Sequence, residues 1–125
     1  CQGVAVFVPG HHLATGVANG AAGAYSNVAC LSPGGAQRWY NQMRVDLPAA
    51  LELEQRIRHF MDTEIAPFIV RDGYANPALD KLLAAIGGWA DVGTRLRWPY
   101  RWIDPSAAER LRPIARSMVP ELFQL

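Results

Sequence analysis

The chain has 125 residues, of which 50% are hydrophobic and 18% are charged, and its formal net charge is +1. This composition is typical of a globular core and excludes a disordered chain, while the near-neutral charge supports neither a nucleic-acid surface nor an acidic partner. No apolar run approaches the roughly 20 residues that cross a bilayer, and no signal peptide is visible. Two cysteines, Cys1 and Cys30, are too few for a disulfide scaffold, which favours reduced thiols in a cytoplasmic protein.

The first predicted elements are two strands. Val4 to Val8 is an unbroken β-branched and aromatic run that ends at Pro9-Gly10. Because no polar residue alternates in it, the run predicts a strand buried on both faces, as in a parallel sheet. Residues 11–20 allow a turn or two of helix, and Ala22 to Ser26 predicts a second, weaker strand. The short connection favours a right-handed parallel βαβ unit.

From Ser32 onwards the pattern is helical. A polar residue beside a proline marks each predicted start, at Ser32-Pro33, Asp46-Leu47-Pro48, Asn76-Pro77 and Asp104-Pro105. Gly87-Gly88 is predicted to end the third helix, and Pro113 and Pro120 to kink or interrupt the fourth. Apolar residues at helical spacing predict the buried faces: Ala36, Trp39, Tyr40 and Met43; Ala50, Leu53, Ile57, Phe60, Met61 and Ile65; Leu79, Leu82, Leu83 and Ile86; Leu111, Ile114, Ala115, Met118, Val119 and Leu122.

The outer side of the second helix carries charges at regular spacing. Glu52 and Arg56, and likewise Glu54 and Arg58, are four residues apart with the acid first. This order is the favourable one on a helix, so the sequence predicts two exposed ion pairs.

The order of elements indicates a fragment. Two parallel strands cannot make an independent sheet, because each still presents an unpaired edge and uncovered faces. The helical remainder supplies no further strands. The segment up to Pro33 is therefore expected to need a partner sheet that this chain does not contain.

The end of this segment resembles a known barrel family. Gly20, Gly23, Ser26 and Pro33 match the pattern G-x-x-G-x-I-S-x-x-x-N-x-x-P, which is similar to the last barrel strand of the dihydrodipicolinate synthase and N-acetylneuraminate lyase family. The chain departs from the pattern at two positions. Tyr25 stands where Ile is usual, and Cys30 stands where Asn is usual.

The likeness continues through the helical part. Asn76-Pro77 followed by Lys81 and Gly87 resembles the family's N-P-x-x-x-K helix that ends in glycine. The stretch from Arg95 to Pro99 resembles its R-x-P motif before the final helix. The motifs lie in the family's order along nearly the whole chain.

The resemblance implies an α/β fold that is mostly α in this chain. Residues 1–45 would form the last two β/α units of a TIM (β/α)8 barrel, and residues 46–125 a helical C-terminal domain. The parent would be a homo-oligomeric lyase or aldolase in which a lysine on the sixth strand forms a Schiff base with a 2-keto acid such as pyruvate, without a further cofactor. That lysine, a proton-shuttling tyrosine and a carboxylate-binding motif precede Cys1 in the family. No catalytic residue is therefore assigned to this chain, and Lys81, its one lysine, is interpreted as a helix-surface residue.

What the chain would contribute is the mouth of the site, since loops after barrel strands line it. By resemblance, Gly10 matches a glycine approached closely by substrate, and Ser26 matches a serine near bound substrate; a turn glycine and a structural serine are the alternatives. His11 and His12 stand where acidic residues are common in the family. One of them is expected to contact substrate, suiting an acidic second substrate, or both are plain loop histidines. No metal site is predicted, since no third ligand has a recognisable spacing.

Two functional hypotheses remain. The first is the C-terminal portion of a Schiff-base 2-keto-acid lyase, inactive by itself and completed by the missing N-terminal barrel segment. The alternative is a non-catalytic helical module that pairs with itself or another chain through its N-terminal strand. A basic and aromatic stretch from Arg95 to Trp102 would allow a nucleic-acid surface, but Asp104 and Glu109 favour intramolecular pairs. Neither a nucleic-acid nor a membrane partner is predicted.

Overall fold

The computed structural model describes residues 3–124, which are mostly helical with one small parallel sheet. Strand β1 (Phe7–Pro9) pairs with β2 (Gly23–Tyr25), with Phe7 opposite Gly23 and Pro9 opposite Tyr25. A 3-10 turn (Gly10–His12) and helix α1 (Leu13–Ala18) connect the two strands. The predicted parallel strand–helix–strand unit is thus confirmed. Cys1, one of the two cysteines expected to be reduced, lies outside the described residues.

Helices make up most of the rest of the described chain. They are α2 (Asn27–Leu31), α3 (Pro33–Gln42), α4 (Leu47–Phe60), α5 (Ala66–Val70), α6 (Asn76–Gly87) and α7 (Pro105–Met118). A π-helical turn (Met61–Ile65) joins α4 to α5, and a 3-10 turn (Pro120–Phe123) follows α7. None of the helices in this part of the chain combines the length and apolarity that a membrane span requires.

The helix starts confirm the predictions from proline and its polar neighbours. Ser32 Oγ accepts a hydrogen bond from the Gly35 amide at 3.1 Å, and Asp46 and Asp104 cap α4 and α7 in the same way. These caps satisfy N–H groups that have no partner within the helix. Helix α6 starts at Asn76 without a side-chain cap and ends at Gly87. The capping residue that follows, Gly88, has a left-handed φ of 66°. Glycine adopts that conformation without strain, as the Gly-Gly stop predicted.

The predicted inward faces form one core. Of the positions predicted to face inward, Ala36, Tyr40, Ile114 and Met118 are half-buried at its edge, and the others are buried. The indole Nε1 of Trp39 donates to the Ala50 carbonyl at 3.0 Å and ties α3 to α4. Helix α2 packs on α6, and α6 packs on α7.

The first strand differs from its prediction in both extent and burial. It spans Phe7–Pro9, whereas Val4 to Val6 precede it as irregular chain. The exposed fractions of Val4, Val6 and Phe7 are 65%, 43% and 53%, so the expected burial on both faces is wrong for this chain. The physical reason is that β2 covers one edge and the helices cover one face, and none of the described residues covers the remainder.

The two faces of the sheet are unequal. Val8 and Ala24 pack against the helical core, and a Cβ on Gly16 of α1 would lie 2.8 Å from Val8 Cγ2. Because side chains alternate along a strand, Phe7 and Tyr25 project from the opposite face. Their rings lie 5.7 Å apart, and Tyr25 is 84% exposed. We call this the bare face of the sheet, defined by Phe7, Gly23 and Tyr25.

One of the two ion pairs predicted on α4 is confirmed, and the other is wrong. Arg56 contacts Glu52 at 2.9 Å and also Glu121 at 2.9 Å. Glu54, in contrast, is only 2% exposed and does not pair with Arg58. It accepts hydrogen bonds from the Thr15 amide at 3.1 and 3.2 Å and from the Thr15 hydroxyl. Its partner is 39 residues away, so helical spacing could not reveal it.

The prolines near the C-terminus behave differently from each other. Helix α7 continues through Pro113 to Met118, so Pro113 does not interrupt it. Pro120 instead starts the 3-10 turn after the helix has ended at Met118. The buried residues on either side of Pro113, Leu111 and Ala115, hold the helix in place against its neighbours.

Candidate functional site

A cleft of about 490 Å³ lies where the two parallel strands end. Its lining residues come from β1, β2, the turns after them, α2 and α6. They are Phe7, Val8, Pro9, Gly10, His11, Tyr25, Ser26, Asn27, Cys30, Asn76 and Asp80. Three of the four residues predicted to contact substrate, Gly10, His11 and Ser26, therefore lie together.

Gly10 is fixed by the close approach of the second strand's end. A Cβ at this position would lie 2.6 Å from Ser26 Cα, 2.7 Å from Asn27 Oδ1 and 2.8 Å from Ser26 Oγ. Two of these atoms belong to Ser26, whose Oγ is held by a hydrogen bond from the Ala29 amide. Gly10 thus brings the ends of β1 and β2 together, which is a structural role at the floor of the cleft.

Ser26 is the N-cap residue that directly precedes α2. Its Oγ accepts a hydrogen bond from the Ala29 amide at 3.0 Å, as a helix cap does. The hydroxyl proton is not used in that bond, because a hydroxyl can donate one bond and accept two. Ser26 therefore combines a capping role with a donor at the cleft wall.

His11 is oriented by Asn27. The Asn27 Nδ2 lies 3.0 Å from His11 Nδ1, and with the amide donating, the ring proton of neutral His11 resides on Nε2. Burial lowers the pKa of His11 below its usual 6.5, and the neighbouring His12 lowers the pKa further. At neutral pH the His11 side chain is therefore uncharged and can donate a hydrogen bond.

His12 does not line the cleft. Its ring lies 4.2 Å from that of His11, so it acts on the cleft only through its neighbour. Within residues 3–124, no group of three or more histidine, cysteine, aspartate and glutamate side chains is placed to hold a metal ion.

The other eight lining residues were not predicted as site residues, and four of them, Asn27, Cys30, Asn76 and Asp80, bring amide, thiol and carboxyl groups to the cleft. Burial is the main cause that raises the pKa of the Asp80 carboxyl and of the Cys30 thiol. Asn76 Nδ2 donates weakly to Asp80 Oδ2 at 3.5 Å. Asn76 and Asp80 are four residues apart on α6 and so share one face of that helix, but nothing in the sequence indicates that this face meets the strand ends.

Lys81 is next to Asp80 in sequence, but its side chain binds the loop that contains Val92. Its Nζ donates to the Val92 carbonyl at 3.0 Å and its side chain is half-buried, so it is less exposed than predicted. It is not among the residues that line the cleft.

The arginine- and aromatic-rich stretch forms a separate surface. Arg95 stacks over Trp102 at 5.4 Å, and Arg101 stacks over Tyr74 at 4.2 Å. These contacts are the expected intramolecular packing, although the partners are aromatic rings and not Asp104 or Glu109. Trp98 is 92% exposed.

Comparisons with protein-family models, with curated proteins and with solved structures gave no match.

Proposed function

We propose that this chain is the C-terminal portion of a Schiff-base-forming 2-keto-acid lyase of the dihydrodipicolinate synthase type. In this proposal residues 1–45 complete a TIM barrel, residues 46–125 form its helical C-terminal domain, and the catalytic lysine belongs to the remainder of the barrel. The chain supplies Gly10, His11 and Ser26 to the mouth of the site. The substrate class is a pyruvate-type 2-keto acid.

The observation that carries the proposal is the inequality of the two sheet faces. Val8 and Ala24 are covered by helices of this chain, whereas Phe7 and Tyr25 on the bare face are exposed. A strand of a TIM barrel has this arrangement. Its outer face packs on helices, and its inner face packs on side chains that the other strands send into the barrel interior. An apolar face of this kind next to unpaired strand edges is an unfavourable surface in water.

The position of the cleft supports the same proposal. Gly10 and Ser26 follow the carboxyl ends of β1 and β2, and both line the cleft. Active sites of TIM barrels lie at this end of the strands. A cleft at the opposite end of the sheet would have argued against the proposal.

The exposed strand also favours a second candidate function, a non-catalytic module that pairs with another copy through β1. Phe7 of β1 is exposed, and so are Val4 and Val6 in the segment that precedes the strand. An extended apolar segment with a free edge can add to a second sheet. In this case the chain forms a dimer in solution and no Schiff base is involved.

The deciding experiment uses the complete reading frame that contains this chain. Its product is incubated with pyruvate and borohydride, which reduces a Schiff base to a stable adduct. We expect one adduct, on a lysine outside residues 1–125, and none on Lys81. An adduct on Lys81, or no adduct on any lysine of the product, contradicts the proposal.

A further inference from the structure

A second cleft, of about 580 Å³, lies between the start of α3, the segment after α6, the last turn of α7 and the 3-10 turn that follows α7. It shares no lining residue with the cleft at the strand ends. Four large side chains dominate its lining. We call it the arginine cleft, defined by Arg38, Trp89, Arg116 and Phe123.

Two guanidinium groups face this cleft without a carboxylate in its wall. None of the lining residues is an aspartate or a glutamate. Glu121 is the neighbour of two lining residues, but its carboxylate binds Arg56 at 2.9 Å. Within residues 3–124, the ion pairs involve neither Arg38 nor Arg116. The arginine cleft therefore has a local positive charge that the near-neutral total does not reveal.

Arg38 is positioned by backbone carbonyl groups and keeps donors for a ligand. Its Nη2 donates to the Glu121 carbonyl at 3.4 Å and to the Leu122 carbonyl at 3.3 Å. A guanidinium group carries five N–H donors on three nitrogens. The Nε and Nη1 atoms of Arg38 make no hydrogen bond to the described residues, so most of its donors remain available.

Arg116 approaches the same 3-10 turn from α7. Its guanidinium carbon lies 5.8 Å from the ring centre of Phe123, in a cation–π arrangement. Leu122 and Phe123 are consecutive residues of that turn, and each of them contacts one of the two guanidinium groups. Like charges at one turn repel each other, and a bound carboxylate offsets this repulsion while it accepts charge-assisted hydrogen bonds.

Trp89 provides a flat and fixed aromatic wall. Its Nε1 donates to the Cys30 carbonyl at 2.8 Å, which sets the orientation of the ring, and 52% of the residue is exposed. Aromatic rings pack favourably against one another in offset or edge-to-face arrangements. Aromatic walls with a few convergent polar groups are also the usual composition of a small-molecule site.

We propose that the arginine cleft binds a small aromatic carboxylate. The carboxylate oxygens accept hydrogen bonds from Arg38 and Arg116, and the ring of the ligand packs against Trp89 and Phe123. This binding site is separate from the cleft at the strand ends. It does not depend on the proposed function.

The test compares three probes on the chain itself. Benzoate carries both a ring and a charge, benzyl alcohol carries the ring alone, and acetate carries the charge alone. Each probe is titrated at pH 7 and matched ionic strength, and the ¹H–¹⁵N shifts of the Gly34 and Phe123 amides and of the Trp89 indole are followed. We expect saturable shifts with benzoate, and binding about tenfold weaker or less with each of the other two probes, since each lacks one set of contacts.

Three variants make the test specific. Arg116→Gln removes one guanidinium at an exposed position and should weaken benzoate binding about tenfold, because a charge-assisted bond is lost. Arg116→Lys keeps the charge without the planar fork, so its affinity should lie between those of the parent and Arg116→Gln. Arg110→Gln removes an exposed arginine of α7 that does not line the cleft, and it should leave the titration unchanged.

Three outcomes would overturn the proposal. The first is the absence of saturable shifts with benzoate, and the second is equal affinity for benzoate and either of the partial probes. The third is an equal effect of Arg116→Gln and Arg110→Gln on benzoate binding, which would mean that only the total charge matters. Trapping of a lysine with pyruvate and borohydride has no bearing on these results.

Discussion

Gly10 sits at the closest approach between the two strand ends, where a methyl group has no room. Its virtual Cβ lies 2.6 Å from Ser26 Cα. We expect Gly10→Ala to lower the free energy of unfolding by about 1–3 kcal/mol, because overpacking forces the backbone to shift. Chemical denaturation measures the difference.

The matched control is Gly34→Ala in the first turn of α3. There the added Cβ meets Arg38 Nη1 at 3.3 Å, which is the movable end of a long side chain. This variant should be neutral or slightly stabilising, since alanine is the better helix former. Equal losses in the two variants would show that Gly10 has no special role.

His11 makes the stability depend on pH. Its pKa in the folded chain lies below the usual 6.5, so the unfolded chain takes up the proton first as the pH falls. The contribution of neutral His11 is therefore present above about pH 6.5 and is lost progressively below it. We expect the free energy of unfolding to fall in this window, and His11→Gln to flatten the curve.

The control for His11 is His59→Gln. His59 is exposed on α4, so this variant should keep the slope of the parent chain. Denaturation curves between pH 5 and pH 7.5, spanning the usual histidine range, make the comparison. A parent curve without slope in that interval would contradict the burial of His11.

At the scale of elements, Glu54 links α4 to the first turn of α1. Its carboxylate accepts bonds from the Thr15 amide and hydroxyl across 39 positions of sequence. Helix α1 follows the Gly10–His12 turn directly, so this contact also holds the cleft loop on the helical core. Hydrogen bonds to a charged group are worth about 1.5–3 kcal/mol.

A double-mutant cycle with Glu54→Gln and Thr15→Val tests this link. We expect a coupling of about 1–2 kcal/mol in the free energy of unfolding, within the usual range for residues in contact. Glu52→Gln, which breaks an exposed pair with Arg56, should cost about 0.5 kcal/mol or less. A coupling near zero would mean that Glu54 does not anchor α1.

Much of the element order could be predicted from local signals. Caps such as Ser32 and Asp46 lie within three residues of the amides they bind, and Gly88 ends its helix by its own backbone preference. Glu54 and Asp80 could not be placed in this way. Their environments are created by chain segments that are distant in sequence, and the helical pattern alone assigned Glu54 to the outer surface.

The sequence predicted only those residues of the cleft that follow the two strands. Gly10, His11 and Ser26 follow strand ends, and the carboxyl ends of parallel strands meet at one edge. Asp80 and Asn76 enter from α6, whose packing on α2 depends on the whole helical core. The charge of the cleft therefore emerged only with the tertiary structure.

At the scale of the whole molecule, the two-stranded sheet is covered on only one of its two faces. The face that carries Val8 is covered by helices, whereas the described residues leave the bare face and the outer edges of the sheet uncovered. The lyase proposal and the self-pairing module both require a cover for this surface, but they differ in what supplies it. Strands of the same polypeptide cover it in the first case, and a second copy does so in the other.

Amide hydrogen exchange in β1 and β2 distinguishes these cases most directly. If β1 and β2 belong to a barrel, we expect rapid exchange in the monomer of this chain at those amides of the two strands that do not take part in the β1–β2 ladder. The same amides should become strongly protected in the product of the complete reading frame. Protection in the isolated monomer, or protection gained only by dimer formation of this chain, would contradict the barrel account.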